Sequence, residues 1–238
     1  MHLLRIVLQL ASSAILLLPA GPAAAQGNGQ LYEPAPPPDS VYVRVIMADR
    51  AGAVDVLVDG KVRQRGVPAG EAGAYLVLAA GKHTLSLQRS GAAPGKAGTT
   101  ASVALDLASG RAMTIAFPAL RAEVSPWIFE DKTSSNKLKA VLTVYQLDAQ
   151  AGTLDVLSAD GNTRVFSGIA PGNSNSLQVN PITIDLIATR PGDKTARANV
   201  TVAMTPGDMV SVLLLPGPGG KLSAHASQNK IHKFAVGM

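Results

Sequence analysis

The 238 residues carry 21 Lys and Arg against 16 Asp and Glu, with four His and no Cys. The absence of cysteine excludes a disulfide framework, thiolate metal sites and a lipid anchor attached through cysteine. The mild positive charge is dispersed, and it lacks the concentrated basic patch with interleaved aromatics that is typical of nucleic-acid binding.

Residues 1–25 have the three parts of a secretory signal peptide. Arg5 lies near the amino terminus, residues 6–18 are mostly apolar, and Ala23-Ala24-Ala25 matches the small-residue cleavage motif. The thirteen residues of the apolar run are fewer than the about 18–20 needed to span a bilayer. We therefore expect cleavage after Ala25 and no transmembrane anchor. Loss of Arg5 leaves 20 basic against 16 acidic residues, a net charge of +4.

A proline-rich lead follows the predicted signal peptide. Residues 31–40 read L-Y-E-P-A-P-P-P-D-S, and consecutive prolines favour the extended polyproline II conformation. Leu31 and Tyr32 precede these prolines, where they can pack on the first domain or bind a partner in trans. We therefore treat Leu31 and Tyr32 as candidate partner-binding residues.

The remainder of the chain repeats with an offset of about 100 residues. Residues 51–57, A-G-A-V-D-V-L, are echoed by residues 151–157, A-G-T-L-D-V-L, and an Asp-Gly pair follows each copy. Residues 66–70, G-V-P-A-G, are echoed in turn by residues 168–172, G-I-A-P-G. Three matches in the same order indicate a duplicated domain, because solenoid repeats have periods of about 20–50 residues.

Each copy has the pattern of short strands. Val54, Val56 and Val58 alternate along the chain before Asp59-Gly60, a pair that favours a tight hairpin. The 23 glycines and 16 prolines fall throughout both copies and interrupt any long helix. These patterns predict an all-β protein, built as a tandem pair of duplicated, immunoglobulin-like β-sandwich domains.

The domain boundaries follow from the same patterns. We expect the first sandwich, with its lead, in residues 26–121, an interdomain linker in residues 122–139, and the second sandwich in residues 140–238. The junction holds Trp127, Ile128 and Phe129 ahead of a polar stretch. Large aromatics at a junction either seal two domains together or anchor a partner, and junctions normally bury them. We therefore favour the seal for these three residues and keep partner binding as the alternative.

The residue pattern contains no catalytic or metal-binding constellation. The histidines that remain after cleavage, His83, His225 and His232, have no acidic residue three positions earlier, and no G-x-S-x-G motif is present. Neither H-x-H nor a dense Asp loop occurs, so we expect no metal and no cofactor. Asp55 and Asp155 recur at matched strand positions, and we interpret both as structural.

Residues 31–45 resemble the start of the mature AlgF-type proteins. They read L-Y-E-P-A-P-P-P-D-S-V-Y-V-R-V, where the family has L-Y-x-P-x-P-P-x-D-S-x-[FY]-V-R-V at the opening of its first domain. The resemblance implies a non-catalytic periplasmic adaptor in the O-acetylation of an exopolysaccharide, either alginate or a similar polymer such as cellulose. It implies two kinds of partner, a membrane-bound O-acyltransferase and periplasmic SGNH-type acetyltransferases, which would hold the catalytic residues.

Two other hypotheses stay open on the sequence. A polysaccharide-binding β-sandwich module would fit the mild positive charge and the junction aromatics, although one Trp in the whole chain disfavours a line of stacking rings. An acetyl-relay protein would require a serine, threonine or histidine that becomes acetylated.

Overall fold

The computed structural model describes residues 39–50, 52–92, 100–134, 136–195 and 197–230. The predicted signal peptide lies outside the described residues, as do Leu31, Tyr32 and His232. Within the described residues the chain forms two domains of eight strands each.

The first domain begins where the chain leaves the proline-rich lead. Its strands differ in exposure: Thr100–Leu107 alternates exposed with buried residues, the period-2 pattern of a sheet that has one face on a core, whereas Ser40–Met47 is buried almost throughout. They are β1 (Ser40–Met47), β2 (Val54–Val58), β3 (Lys61–Val67), β4 (Leu76–Ala79), β5 (Gly81–Arg89), β6 (Thr100–Leu107), β7 (Ala112–Phe117) and β8 (Trp127–Glu130).

The second domain has the same number of strands, with a single 3₁₀ turn at Pro218–Gly220 before the last of them. They are β9 (Ala140–Gln146), β10 (Leu154–Ser158), β11 (Arg164–Ile169), β12 (Ser174–Val179), β13 (Thr183–Thr189), β14 (Ala198–Ala203), β15 (Met209–Pro216) and β16 (Leu222–Gln228).

The two domains share one topology. The first domain pairs its strands in the orders β4-β1-β7-β8 and β3-β2-β5-β6, and the second in the orders β12-β9-β15-β16 and β11-β10-β13-β14. Raising every strand number of the first domain by eight gives the second. β1 and β7 are parallel, as are β9 and β15, while the other pairs are antiparallel. The predicted all-β fold with two similar units is therefore confirmed.

Each domain has its own apolar core between its two sheets. In the first domain Val43 and Ile115 of one sheet meet Val56 and Leu87 of the other, all at 0% exposure. In the second domain Val144 and Val212 face Leu154 and Val202 in the same way. Burial of these β-branched and leucine side chains is the main favourable term for each sandwich, since the chain contains no disulfide.

The duplicated aspartates have the same structural role in both copies. Asp55 Oδ1 accepts hydrogen bonds from the Gly66 amide at 2.9 Å and from the Ser90 hydroxyl at 2.6 Å. Asp155 Oδ1 accepts one from the Gly168 amide at 2.8 Å. Gly66 and Gly168 both have φ of 64°, at the irregular pairing where β3 and β11 bulge. Only glycine adopts this φ without strain. Each carboxylate fixes the bulge by accepting the hydrogen bond from the glycine amide.

The predicted hairpin at Asp59-Gly60 is present. Val58 pairs with Lys61, and both loop residues have positive φ, 51° for Asp59 and 77° for Gly60. Two residues of this conformation form a type I′ turn, whose twist matches that of the strands.

A strand occurs inside residues 122–139, which the sequence assigned to the linker. Trp127–Glu130 pairs antiparallel with β7, placing Trp127 opposite Ala116 and Glu130 opposite Met113. Four residues of alternating burial are too short to be separated from a linker by periodicity alone. The first domain thus continues through residue 130 by strand pairing.

Two features are absent from the part of the chain that the structure describes. It contains no helix of the length and apolarity that crossing a bilayer requires. It also contains no group of three or more His, Asp or Glu side chains placed to hold a metal ion.

The Asp55 contacts predict how the first domain responds to acid. Burial opposes ionisation of Asp55, but the hydrogen bonds from Ser90 and Gly66, together with the charge of Arg65, hold its pKa below its ordinary value. The resulting stabilisation is present above the unfolded-state pKa of about 3.9 and is lost as pH falls through the lower folded-state value. We expect Asp55→Asn to destabilise the protein at neutral pH, and we expect this difference from the wild type to shrink as the pH falls below the unfolded-state pKa of about 3.9.

Urea unfolding as a function of pH measures this difference, with Asp106→Asn at an exposed position of β6 as the control. A free-energy difference between Asp55→Asn and wild type that is independent of pH would contradict the assignment.

Candidate functional site at the interdomain interface

The outer faces of two equivalent sheets meet between the domains. The β1-β7-β8 surface contributes Ile46, Ala48, Ala116 and Phe129, and the β9-β15 surface contributes Tyr145, Leu147, Leu213 and Leu215, with Trp127 and Ala72 at the periphery. We call these residues the interdomain cluster. The ring of Phe129 meets that of Tyr145 edge to face at 5.2 Å between centroids, a favoured aromatic geometry. The interface is therefore a third apolar core.

A charged side chain lies inside this interface. Arg44, in the middle of β1, has 0% exposure and is among the largest fully buried side chains of the described residues. Its Nε donates to Thr114 Oγ1 at 2.8 Å, and one terminal nitrogen donates to Asn229 Oδ1 at 2.6 Å. The other terminal nitrogen donates to the hydroxyls of Tyr145 at 3.0 Å and Ser211 at 2.9 Å. Three of these four bonds cross from the first domain to the second.

Asp131 supplies the opposite charge. Its Oδ2 accepts hydrogen bonds at 2.6 Å from the Tyr75 and Thr114 hydroxyls, and its Oδ1 accepts one at 2.5 Å from Tyr145. Its Oδ2 lies 3.9 Å from Arg44 Nε, so Thr114 bridges the two charges by accepting from one and donating to the other. We call Arg44, Tyr75, Thr114, Asp131, Tyr145, Ser211 and Asn229 the Arg44 network.

The two tyrosines enclose the guanidinium group. The Arg44 Cζ lies 4.6 Å from the ring centroid of Tyr75 and 5.6 Å from that of Tyr145, within range of cation–π attraction. Burial raises the pKa of Tyr145 to about 12, a shift that the positive Arg44 opposes and the negative Asp131 reinforces. Burial likewise raises the pKa of Tyr75 well above its ordinary value. Both hydroxyls therefore remain protonated donors to Asp131.

The predicted junction residues divide by face. Phe129 is 5% exposed and belongs to the interdomain cluster, and Trp127 packs on Gly172 of the second domain. Ile128 points the other way and is 50% exposed. Trp127 and Phe129 therefore lie in the interface between the domains, whereas Ile128 faces solvent.

The histidines that remain in the described residues are not arranged as a catalytic base. His83 Nδ1 lies 2.7 Å from Asp59 Oδ2, and its Nε2 lies 3.0 Å from the Ala79 carbonyl oxygen. Because both ring nitrogens face acceptors, neither presents a lone pair to a hydroxyl nucleophile. His225 is exposed on β16.

Sequence reasoning missed the Arg44 network. One signal was present, since Arg44 is the single charge in a strand, S-V-Y-V-R-V-I-M, whose other residues are mostly apolar. A buried charge requires a partner. Asp131 gave no such signal, because it lies in a polar stretch that resembles a solvated linker.

Arg44 is expected to control the interface. Arg44→Met leaves the Asp131 carboxylate buried without its counter-charge, which typically costs about 3–5 kcal/mol. The double variant Arg44→Met/Asp131→Asn removes both charges and should recover much of that loss. Urea unfolding measures the stability, and the emission of the single Trp, Trp127, reports the interface. We expect a red shift in the single variant, since Trp127 packs across the interface.

Arg63→Met, at an exposed position of β3, is the matched control for loss of an arginine. Wild-type unfolding midpoints and Trp emission in Arg44→Met would show that the network does not hold the domains together.

The tyrosine pKa values give an independent test at alkaline pH. A raised pKa favours the neutral phenol, so this stabilisation is complete below the unfolded-state value of about 10 and is lost as pH rises toward the folded-state value. We expect the tyrosinate absorbance of the folded protein at about pH 11 to be nearly unchanged by Tyr75→Phe or Tyr145→Phe. In denaturant at the same pH, each variant should lose one quarter of the tyrosinate absorbance, since the chain contains four tyrosines. The same loss of tyrosinate absorbance in the folded protein would show that the substituted phenol is exposed to solvent, and would contradict its burial.

Comparison with known proteins identifies the family. The AlgF family model, described as alginate O-acetyl transferase AlgF, matches residues 14–211. The alginate biosynthesis protein AlgF of Pseudomonas putida is 30% identical over 211 residues, which is 89% of this chain and 89% of that protein. Its counterpart in Pseudomonas syringae pv. tomato is 29% identical over 200 residues, 84% of this chain and 81% of that protein.

Among solved structures, the C-terminal domain of AlgF from P. aeruginosa matches with 26% identity, 39% coverage of this chain, 100% coverage of that chain and a TM-score of 0.33. The family model and the two Pseudomonas relatives carry the family assignment. The chain therefore belongs to the AlgF family, a family of alginate biosynthesis and O-acetylation.

Proposed function

We propose that this chain is a non-catalytic periplasmic adaptor in the O-acetylation of an exopolysaccharide, alginate or a similar polymer such as cellulose. It links a membrane-bound O-acyltransferase to periplasmic SGNH-type acetyltransferases. The family supports the pathway, and the residue pattern of the first 25 residues supports export.

The observation that carries the proposal is the Arg44 network. An adaptor that holds two enzymes must keep its recognition surfaces at a fixed separation, and inter-domain motion is the default for two domains on a linker. Here a fully buried arginine bonds to Tyr145, Ser211 and Asn229 of the other domain. The geometry of those bonds suits a single relative orientation of the two sandwiches, because a buried charge cannot leave its partners without cost.

The same contacts support a role without catalysis. The ionisable groups of the Arg44 network are bonded to one another, and His83 is held between Asp59 and a main-chain carbonyl. We propose Ile128, on the exposed face of β8, as a partner contact, together with Leu31 and Tyr32 of the lead. Trp127 and Phe129, on the opposite face of the same strand, pack in the interdomain cluster and so hold β8 in place.

Deletion of the gene is expected to abolish polymer acetylation while polymer synthesis continues. Acetyl content and polymer yield are measured in the deletion strain and after complementation with wild type or Ile128→Asp. Normal acetylation in the deletion strain would overturn the proposal. Purified wild-type chain should bind a purified acetyltransferase of the pathway, and Ile128→Asp should bind it more weakly, since a buried charge at an interface centre is costly.

Two measurements separate the alternatives. Titration with uronate and glucan oligosaccharides tests the polysaccharide-binding module. Incubation with an acetyl donor ester followed by intact-mass analysis tests the acetyl-relay protein. Saturable sugar binding without enzyme binding, or a stable mass increase of one acetyl group, would replace the adaptor proposal.

A further inference from the structure

The duplication makes the two sides of the interdomain interface directly comparable. A shift of 99 positions from β1 to β9 and of 97 positions from β7 to β15 carries the β1–β7 pair Arg44–Thr114 onto the β9–β15 pair Thr143–Ser211. On the next strand, Trp127 lies opposite Ala116 and His225 lies opposite Leu213. Trp127 and His225 are therefore equivalent positions in the two domains.

The surfaces that receive these side chains are also equivalent. The Gly70 amide donates to the Met47 carbonyl at 2.8 Å, and the Gly172 amide donates to the Gln146 carbonyl at 2.8 Å. Their φ angles are 81° and 77°. Each glycine lies at the end of the matching G-V-P-A-G or G-I-A-P-G segment, so the two glycines share one backbone conformation and one hydrogen bond.

The two glycines differ in what covers them. A Cβ added at Gly172 would lie 2.6 Å from Trp127 Nε1, so the indole ring rests directly on the glycine. Among the described residues, a Cβ added at Gly70 would meet only Leu215 Cδ1 within 4 Å, at 3.6 Å. At that end of the seam an exposed His225 stands where the first domain has Trp127.

An open groove results at the Gly70 end. One part, of about 420 Å³, is lined by residues 70–74 and by residues of β16 and beyond. An adjoining part, of about 370 Å³, is lined by residues 48–50 and by residues near Leu215. Gly70 and His225 border both parts. Each part is within the range of small-ligand sites.

We propose that this groove binds an aromatic side chain, Trp or Tyr, from an extended segment of the partner protein. The partner's aromatic ring lies on Gly70 in the way that the Trp127 ring lies on Gly172. The Trp127–Gly172 contact is therefore a model for the bound partner side chain. Ser227 and Gln228 line the groove and provide hydrogen-bonding groups for an indole N–H or a phenol O–H. The inference rests on the proposed function and specifies the chemistry by which a partner is recognised.

The decisive variant is His225→Trp, which supplies the missing ring from the chain itself. Because the Trp127–Gly172 contact already exists in the same fold, we expect this variant to fold and to unfold at a higher denaturant concentration than wild type. Asn199→Trp, at an exposed position of β14, is the matched control for an added Trp.

The probe is N-acetyltryptophanamide, followed by NMR amide shifts. Wild type and Asn199→Trp should show saturable shifts at residues 70–74 and 225–228, whereas His225→Trp should show none. N-acetylleucinamide, which lacks an aromatic ring, should cause shifts at least about tenfold smaller at the same concentration. Absence of shifts in wild type, or equal shifts in His225→Trp, would overturn the proposal.

The partner experiment distinguishes this inference from the adaptor proposal. With the purified acetyltransferase, His225→Trp should bind at least about tenfold more weakly than wild type and Asn199→Trp, because aromatic anchors dominate interface energetics. Equal binding by wild type and His225→Trp would overturn the groove and leave the adaptor intact. If wild type binds no enzyme of the pathway, the adaptor proposal fails, and the amide titration alone decides whether the groove takes an aromatic ring.

Discussion

The arrangement of this protein depends on satisfying one buried cation. Arg44 cannot be neutralised in a protein, and it lies at 0% exposure between two sandwiches. Its bonding groups come from both domains, Thr114 and Asp131 from one and Tyr145, Ser211 and Asn229 from the other. The apolar interdomain cluster supplies the burial, but apolar contact is non-directional. The directional bonds of the Arg44 network are what select one orientation.

The network also explains why the two copies have diverged. Arg44 corresponds to Thr143 and Thr114 to Ser211. Asp131 corresponds to Asn229, since the two amides donate to the equivalent carbonyls of Ala112 and Met209 at 2.8 Å each. An exact repeat would bury two guanidinium groups and two carboxylates within one contact, and like charges in a dry interface are destabilising. The charged groups, Arg44 and Asp131, come from the first domain. The equivalent residues of the second domain are neutral and polar, so they form hydrogen bonds in the interface without that repulsion.

Divergence at the edge of the interface has a different consequence. Trp127 closes one end of the seam on Gly172, whereas His225 leaves the other end open beside Gly70. A duplicated domain thus provides both a fixed joint and a surface with the same glycine that no aromatic side chain of the described residues covers. In the adaptor role that we propose, a partner would be recognised through the interaction that already joins the two domains.

The sequence by itself determined the all-β class, the Asp59-Gly60 hairpin and the duplication, because these depend on period-2 alternation and on turn residues close together in the chain. The first 25 residues and the lead likewise carried the prediction of export and the family resemblance. Tertiary structure decided that Trp127–Glu130 is a strand, that Arg44 is buried and that Asp131 is its counter-charge. Those facts depend on contacts between residues as far apart as Arg44 and Asn229, 185 positions in the chain, and local pattern carries no information about which distant faces will meet.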